Sequence, residues 1–435
     1  MNVGILGGGL TGLTLGYLLK KQNIDFEILE KNKECGGLCR TIQEEGFTFD
    51  IAGGHIIFSK DQEILNFKLN ILGDNKVMSK RNTKILYKNS FIKYPFENGL
   101  SGLSKEDNFE CLNGFIKTIN QKYDAPKNFN EWIYQTFGKG IAEKYMIPYN
   151  EKIWNFKTDE MATFWVDGRI PKPPSKDIIK SSLGSETEGY AHQSHFYYPK
   201  CGGIQALTNS IEEKIKDKIT KEFGITLIKK EDRKWIVYQD NEKKVFDQIV
   251  STIPVIDLVK LLDEVPEGII NAINNLKYNS LITVMLGLDV DKLNDLHWLY
   301  IPDKNVLPHR LVFPKNNTPN TTPEGKSSIV AEVTFNEGDN ISKMSDEEII
   351  EKIISDLDEK KIIDKNLVCY QKLIRLKYAY VVYDLEYEKN IVKIHKFFEE
   401  LGIDLCGRFS EYRYINMDGC IKSAMNYVES NNFTQ

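Results

Sequence analysis

The sequence predicts an α/β fold of the multidomain α+β kind, in which a Rossmann-like domain is joined to a helical insertion and an antiparallel sheet domain. The 435 residues exceed the roughly 250–300 residues at which one hydrophobic core stops growing, so more than one domain is expected. The chain opens with the strand–glycine–helix–strand order of a βαβ unit. Farther along, helical periodicity gives way to strand-like segments, which indicates a helical region followed by a second sheet.

The first elements follow from apolar patterning around a glycine cluster. A strand is predicted at residues 2–6, a helix at 10–21 and a second strand at 26–29, which ends at Glu30. Apolar residues three and four apart in FECLNGFIKTI and EWIYQTFGKGIAEKYM predict helices over about 105–165. This stretch is the predicted helical insertion.

The second half of the chain is predicted to be mostly sheet. A glycine pair at 202–203 precedes IQALTNSIEEKIKDKI, which predicts a helix. WIVYQ, FDQIVST, LITVMLGLD and SSIVAEVTF then have the composition of strands. SDEEIIEKIISDL and NIVKIHKFFEEL are predicted helices, and the first begins with the serine and glutamate spacing of a capping box. The strand IDLCG and the helix MDGCIKSAMNYV complete the pattern.

Composition and charge exclude several classes of function. A formal net charge of −5 gives no overall field that would attract nucleic acid. No run of about 18 apolar residues is present, and the apolar start lacks the basic flank of a secretory leader, so we expect no membrane span. The seven cysteines show no repeated pair spacing, and Cys35 and Cys39 lack further metal ligands nearby. We therefore expect a reduced, cytoplasmic protein without a metal ion.

The glycine cluster fits the G-x-G-x-x-G fingerprint between a strand and a helix, which binds a dinucleotide. The first glycine permits the tight turn, the second lets a pyrophosphate approach the backbone, and the third packs the helix on the strand. An acid at the tip of the second strand is placed to accept hydrogen bonds from the adenosine ribose. The predicted dinucleotide-binding residues of this unit are Gly7, Gly9, Leu10, Thr11, Gly12, Glu30 and Lys31.

A second glycine pair, at 36–37, favours FAD over NAD. It begins six residues beyond Glu30, and flavoproteins similar to glutathione reductase often carry such a pair. This resemblance implies that Gly37 and Leu38 contact the cofactor. The alternative is a plain glycine turn.

Four later segments resemble the UDP-galactopyranose mutase family. They are Gly53-Gly54-His55, Tyr94-Pro95-Phe96, PYNEKIW at 148–154 and GRFSEYRYINMD at 407–418. The segment YPKCGG at 198–203 is also similar to the wider group of amine oxidases and protoporphyrinogen oxidases. The resemblance spans nearly the whole chain.

The resemblance implies a reaction without net oxidation. An FAD-dependent mutase of this family interconverts the pyranose and furanose forms of a nucleotide-diphosphate sugar, with N5 of the reduced flavin acting as nucleophile on the anomeric carbon. The substrate would be UDP-galactose or a related sugar nucleotide, with uridine and thymidine both open, and NADH or NADPH is a possible reductant. The alternative is a flavin oxidase of an amine or a protoporphyrinogen-like substrate. Homo-oligomer formation is left open.

The resemblance also implies roles for individual residues. Arg169 and Arg310 correspond to two arginines that hold the diphosphate, which suits the planar, two-pronged guanidinium. With His55 they form the predicted catalytic set, and the alternatives are surface salt bridges for the arginines and an ordinary buried histidine. The predicted substrate-binding residues are Asn150, Trp154, Arg169, Arg310, Tyr380, Tyr414 and Asn416. The predicted cofactor contacts of this part of the chain are Gly54, His55, Arg408 and Met417.

The predicted domains are interleaved, because no repeat or long linker separates them. The FAD-binding domain comprises 1–80, 200–260 and 400–435. A mainly helical substrate domain occupies 100–190, and an antiparallel sheet substrate domain comprises 80–100 and 265–390.

Overall fold

The computed structural model describes residues 1–167, 169–170, 172–185, 187 and 194–431. The strands, numbered in chain order, are β1 (Asn2–Leu6), β2 (Asp25–Leu29), β3 (Thr41–Glu44), β4 (Phe47–Asp50), β5 (Val77–Lys80), β6 (Thr83–Tyr87), β7 (Ser90–Lys93), β8 (His195–Tyr198), β9 (Ile219–Thr220), β10 (Leu227–Glu231), β11 (Lys234–Gln239), β12 (Glu242–Phe246), β13 (Gln248–Ser251), β14 (Lys277–Leu288), β15 (Trp298–Tyr300), β16 (Arg310–Val312), β17 (Ser327–Phe335), β18 (Val368–Val382) and β19 (Ile403–Leu405). The α-helices are α1 (Leu10–Lys21), α2 (Gln62–Leu72), α3 (Lys105–Ile119), α4 (Phe129–Ile141), α5 (Ile147–Trp154), α6 (Ser175–Ser182), α7 (Gln205–Glu212), α8 (Val255–Leu258), α9 (Glu267–Asn274), α10 (Pro314–Asn317), α11 (Asp346–Glu359), α12 (Tyr387–Leu401) and α13 (Met417–Ser430).

A parallel sheet with the order β19-β13-β1-β2-β9 forms the Rossmann-like part of the fold. Its central strand β1 is apolar and buried from Val3 to Leu6, as expected for a strand covered on both faces. Helices α1 and α13 pack against each other, and α1 starts directly after β1. The helix starts therefore lie at the carboxyl edge of the sheet, where ligands bind in folds of this type.

A seven-stranded sheet with the order β18-β14-β17-β16-β15-β6-β7 forms the second layer. Its neighbours are antiparallel except for the parallel pair of β15 and β6. Strand β17 is buried along its whole length, and β14 is buried from Asn279 onward. The sheet combines strands from the first hundred residues with strands from the second half of the chain, and it forms one wall of the site.

The predicted helical insertion over about 105–165 is present as α3, α4 and α5, and a further helix, α6, follows it. Phe115 of α3 and Trp132 of α4 belong to one buried apolar cluster that also contains Trp154 of α5. This cluster includes Tyr300 of β15 and Val381 of β18, so the helices pack on the sheet that bears the site.

The observed elements differ from the sequence prediction in several places. The helix expected at 204–219 ends at Glu212, because Ile219 and Thr220 pair with Ile28 and Leu29 of β2 instead. Helix α2 and the long strand β18 were absent from the sequence-based assignment. Strand β18 lies at the edge of the sheet, and its few buried positions are interspersed with exposed ones, several of which are charged. Its apolar pattern in the sequence is therefore weak.

No helix in the described ranges combines the length and the apolar character needed to cross a lipid bilayer. The division into three interleaved domains stays a prediction.

Candidate functional site

A cavity of about 980 Å³ lies between the carboxyl edge of the parallel sheet and the seven-stranded sheet. Most of the residues proposed from the sequence lie in its wall. These residues are Gly7, Gly9, Leu10, Thr11, Glu30, Lys31, Gly37, Leu38, Gly54, His55, Arg310, Tyr380, Arg408, Tyr414, Asn416 and Met417. Gly12, Asn150, Trp154 and Arg169 are the proposed residues that do not line it.

The glycine turn before α1 leaves open space at the helix N-terminus. A Cβ on Gly9 would meet no heavy atom nearer than the Cα of Gly37, 4.0 Å away, whereas a Cβ on Gly12 would lie 2.0 Å from the Gly7 carbonyl oxygen. Gly12 is therefore required for packing, and Gly9 keeps space free inside the cavity. Backbone N–H groups and the positive end of a helix dipole favour an anion such as a pyrophosphate at this point.

Glu30 is held rigidly at the end of β2. Its Oε2 accepts a hydrogen bond from the Gly8 N–H at 2.7 Å, and its Oε1 accepts from the backbone and side-chain nitrogens of Asn32 at 2.9 and 2.7 Å. The side chain is buried in the cavity wall. A carboxylate fixed in this way presents its remaining lone pairs to ligand hydroxyl groups.

The loop that carries His55 is packed tightly against β17. A Cβ on Gly53 would lie 2.3 Å from a carboxylate oxygen of Glu332, and the Gly54 N–H donates to the same oxygen at 3.3 Å. His55 Nδ1 is buried without a hydrogen-bond partner among the described residues. Burial, with the nearby charges of Arg310 and Arg408, lowers the pKa of His55 to about 4, so the ring is neutral near pH 7.

Arg310 is bound to a buried carboxylate. Its Nε and Nη2 donate to the two oxygens of Glu332 at 2.9 and 2.6 Å, across the pairing of β16 with β17. Glu332 has no exposed side-chain surface, while Arg310 keeps 18% exposed. Burial disfavours the charged guanidinium, but Glu332 outweighs it and holds the pKa of Arg310 well above the usual value. The guanidinium is therefore fixed in place, with one nitrogen not engaged by Glu332.

Two tyrosines and Arg408 form a second group in the wall. The Arg408 Nη2 donates to the Ala379 carbonyl at 2.7 Å, and its Nη1 donates to the Ile415 carbonyl. The guanidinium carbon lies 4.7 Å from the ring centroid of Tyr414, and the rings of Tyr380 and Tyr414 meet edge to face at 5.7 Å. Arg408 Nε is buried and makes no hydrogen bond within the described residues.

Arg169 lies outside the cavity wall but reaches the same tyrosine. Its guanidinium carbon is 4.1 Å from the ring centroid of Tyr414. Burial lowers the pKa of Arg169 from its ordinary value. In the described ranges Arg169 forms no ion pair, although the charge of Asp418 acts on it from beyond ion-pair distance. Tyr414 contacts two guanidinium groups, those of Arg169 and Arg408.

Asn150 and Trp154 lie behind the cavity wall. The Trp154 Nε1 donates to Asn150 Oδ1 at 3.2 Å, and the Asn150 Nδ2 donates to the Met146 carbonyl at 2.7 Å. Trp154 packs its edge on Tyr380 and Tyr414, with centroid distances of 5.8 and 5.1 Å. Asn150 and Trp154 therefore hold the rings of Tyr380 and Tyr414 from behind. Direct contact of either residue with a substrate stays a prediction.

The last helix begins where the sequence analysis expects it. Asn416 is the N-cap of α13, and its side chain makes no capping hydrogen bond. Asn416, Met417 and Asp418 all line the cavity. The positive end of this 14-residue helix therefore faces the cavity interior.

These features fit an FAD molecule. The free space at Gly9 would accept a pyrophosphate, Glu30 would accept hydrogen bonds from ribose hydroxyls, and the unpartnered His55 Nδ1 and Arg408 Nε are buried polar atoms that a bound ring system would satisfy. The N-terminus of α13 would favour negative charge on the pyrimidine part of a flavin.

Sequence reasoning missed several residues of the wall, and also Glu332, which is bound to the wall residue Arg310. Glu332 is the single charged residue in the apolar segment SSIVAEVTF, and an acid in a buried strand signals a buried partner. Lys68 is a fully buried lysine that no motif indicates. Tyr300 and Trp298 reach the wall from β15, a strand that the sequence analysis did not assign.

Comparison with known proteins agrees with this architecture. A solved structure titled "Crystal structure of reduced UDP-Galactopyranose mutase" superposes with a TM-score of 0.92 at 24% identity, covering 99% of this chain and 93% of that one. The dTDP-fucopyranose mutase of Escherichia coli is 23% identical over 173 residues, which is 36% of this chain and 42% of that protein. The coproporphyrinogen III oxidase of Bacillus subtilis is 21% identical over 399 residues, 84% of this chain and 83% of that protein.

The fold that the motifs indicated is thereby confirmed. The alignment with the fucopyranose mutase spans less than half of that protein's length, and the structural likeness establishes the fold. The family described as flavin containing amine oxidoreductase matches residues 10–426, nearly the whole chain. The chain therefore belongs to the flavin-containing amine oxidoreductase family.

Proposed function

We propose that the chain is an FAD-dependent mutase that interconverts the pyranose and furanose forms of a nucleotide-diphosphate sugar, UDP-galactose or a related sugar nucleotide. Family membership supports a flavin cofactor. The observation that carries the proposal is the pair of guanidinium groups, Arg169 and Arg408, on Tyr414, with Arg310 in the same cavity. Guanidinium groups gathered in one place attract a diphosphate, and among the described residues Arg169 forms no ion pair that would compete for it.

The proposal assigns a task to each group of side chains. Arg169 and Arg310 bind the diphosphate. The ring of Tyr414 lies on Arg169 and against the ring of Tyr380, and the two phenols are proposed as further hydrogen-bond donors. His55 is neutral and accepts or donates a hydrogen bond at Nδ1 without adding charge. A reduced flavin bound in the cavity would supply the nucleophile, its N5 atom, and NADH or NADPH is the proposed reductant.

The alternative is a flavin oxidase, which the alignment with a coproporphyrinogen III oxidase supports. A cationic amine would be repelled by the arginines of the cavity, so this alternative is better matched by a carboxylated, porphyrinogen-like substrate. The two reactions differ in whether the substrate loses electrons.

The experiment that tests the proposal is a survey of nucleotide sugars. The FAD-loaded protein is reduced with dithionite without oxygen and incubated with UDP- and dTDP-linked pyranoses, and the products are separated by chromatography. The proposal predicts a furanose product from at least one sugar with reduced protein and none with oxidised protein. Oxygen uptake with coproporphyrinogen, and no furanose from any sugar nucleotide, would establish the oxidase instead.

A further inference from the structure

Lys68 is a buried lysine that the proposed reaction does not use. It lies on α2, belongs to the cavity wall and has no solvent-exposed surface. Because the side chain has no exposed surface, Lys68 does not present its ammonium group openly to a substrate in the cavity. Its charge, however, acts across the wall, because charges buried in protein are screened less than charges in water.

The surroundings of Lys68 compensate its charge only in part. Its Nζ donates one hydrogen bond, to the Phe58 carbonyl at 2.8 Å. Among the described residues no carboxylate lies within ion-pair distance, and the carboxylate whose charge favours its protonation is Asp418. Burial lowers the pKa of Lys68 to about 8, which leaves most of the side chain protonated at pH 7. A buried lysine is rare unless it has a function or a partner.

Lys68 lies near the start of α13. Asp418, whose charge acts on it, is the second residue of that helix and lines the cavity. The Ser59 hydroxyl donates to Asp418 Oδ2 at 3.3 Å, which ties the segment before α2 to this helix. Lys68 and Arg408 also act together on the buried Cys39 thiol. The ammonium is therefore placed in the same part of the wall as the helix terminus that faces the flavin pyrimidine in the FAD fit above.

We propose that Lys68 raises the electron affinity of the bound flavin by placing a buried positive charge beside the N-terminus of α13, and that Asp418 opposes this effect. A positive charge stabilises the anionic reduced flavin more than the neutral oxidised flavin, and charges near the flavin ring are a recognised means of adjusting its potential. This inference rests on the proposed flavin site but not on the mutase reaction. It makes Lys68 an electrostatic positioning residue and not a catalytic one.

The test compares three single variants of the FAD-loaded protein. Lys68→Gln removes the charge but keeps a hydrogen-bond donor for the Phe58 carbonyl. Asp418→Asn removes the opposing negative charge. Lys422→Gln is the control, because Lys422 is a partly exposed lysine of α13 that pairs with Asp61 at 3.7 Å outside the cavity. No nucleotide sugar is added in any measurement.

The readouts are the flavin midpoint potential, measured against redox dyes, and the affinity for sulfite, which adds to oxidised flavin and leaves negative charge on its pyrimidine ring. Lys68→Gln should make the potential more negative and weaken sulfite binding at least about tenfold. Asp418→Asn should shift both quantities in the opposite direction, and Lys422→Gln should match the parent. Opposite signs distinguish an electrostatic effect from a general loosening of the site.

Four outcomes would overturn the inference. An FAD-loaded Lys68→Gln protein with the parent's potential would show that its charge does not reach the flavin. Shifts of the same sign in Lys68→Gln and Asp418→Asn would point to a structural effect. If Lys68→Gln does not fold, an unchanged potential in Asp418→Asn is sufficient to reject the paired charge effect. Parent protein that binds no FAD would reject the flavin site itself, and failure of the mutase assay alone would leave this inference intact.

Discussion

Arg169 and Arg310 share a predicted role but differ in their surroundings. Arg310 is paired with Glu332, which is completely buried, whereas Arg169 lies on the ring of Tyr414 and has no carboxylate partner in the described part of the chain. Removing Arg310 would leave a buried, unpaired charge, and removing Arg169 would not. Truncating Arg169 should therefore affect mainly ligand binding, whereas truncating Arg310 should lower both ligand binding and stability.

The first prediction concerns Arg169→Ala. Loss of a charge-assisted hydrogen bond to a diphosphate should weaken binding of UDP or dTDP about tenfold or more, equivalent to about 1.5–3 kcal/mol. The unfolding midpoint should stay close to that of the parent. Calorimetric titration of the FAD-loaded protein measures the affinity, with Arg233→Ala, an exposed turn arginine, as the control. Parental affinity in Arg169→Ala would remove this residue from the diphosphate site.

The second prediction concerns the ion pair. Arg310→Met should lower the free energy of unfolding by about 3–5 kcal/mol, because Glu332 is left charged and unpaired inside the protein. The double variant Arg310→Met/Glu332→Met should recover most of that loss while nucleotide binding stays weak. Urea unfolding and calorimetric titration measure the two effects. A double variant as unstable as Arg310→Met would mean that Glu332 has another structural task.

The third prediction concerns Gly9. A side chain at this position meets open space in the cavity, so Gly9→Val should fold normally and lose flavin, because the new methyl groups occupy the space of the pyrophosphate. The ratio of flavin to protein absorbance measures the loss. Gly268→Val, at an exposed glycine with no neighbour within 4 Å of its Cβ position, is the matched control. Full flavin content in Gly9→Val would place the pyrophosphate elsewhere.

At the scale of elements, two helix starts show different uses of the N-cap position. Ser345 closes a capping box at α11, accepting from the Glu348 N–H at 3.2 Å while Glu348 accepts from the Ser345 N–H at 2.8 Å. Asn416 makes no capping bond at α13, although asparagine is a preferred N-cap residue. The first helix start is stabilised from within, and the second is left available to a ligand.

The fourth prediction follows from this contrast. Ser345→Ala should cost about 1 kcal/mol of stability and leave flavin and nucleotide binding unchanged, because a capping bond is lost far from the cavity. Asn416→Ala should cost less stability and weaken binding of FAD or the nucleotide sugar. Urea unfolding of both variants, combined with ligand titrations, separates the two cases. Equal stability loss with no change in binding would assign Asn416 an ordinary capping role.

The elements that the sequence predicts well are those whose pattern is local. Helix α1 and strand β1 have the predicted bounds, because the glycine turn and the apolar run define them directly. Helix α7 is shorter than its pattern indicates, since a parallel pairing with β2 takes over the end of the segment. Strand β18 has a weak pattern because it forms an edge of the sheet. Such outcomes depend on tertiary contacts that periodicity does not record.

At the scale of the whole molecule, the cavity is assembled from distant parts of the chain. Motifs identify Gly9, His55 and Arg408 because each belongs to a recognisable local segment. Glu332 and Lys68 carry no such motif, and their importance follows only from the partners and burial that the folded chain provides. The sequence therefore predicts which segments meet at the site better than it predicts how their charges are balanced.

The central claim is that this cavity supports a reaction in which the sugar changes ring form without losing electrons. The most direct measurement follows the flavin absorbance and the sugar product in one oxygen-free sample of reduced, FAD-loaded protein. The account predicts many turnovers from pyranose to furanose per flavin while the flavin spectrum stays reduced. Reoxidation of one flavin equivalent per product, or a flavin that stays reduced while no sugar nucleotide gives a furanose, would contradict it.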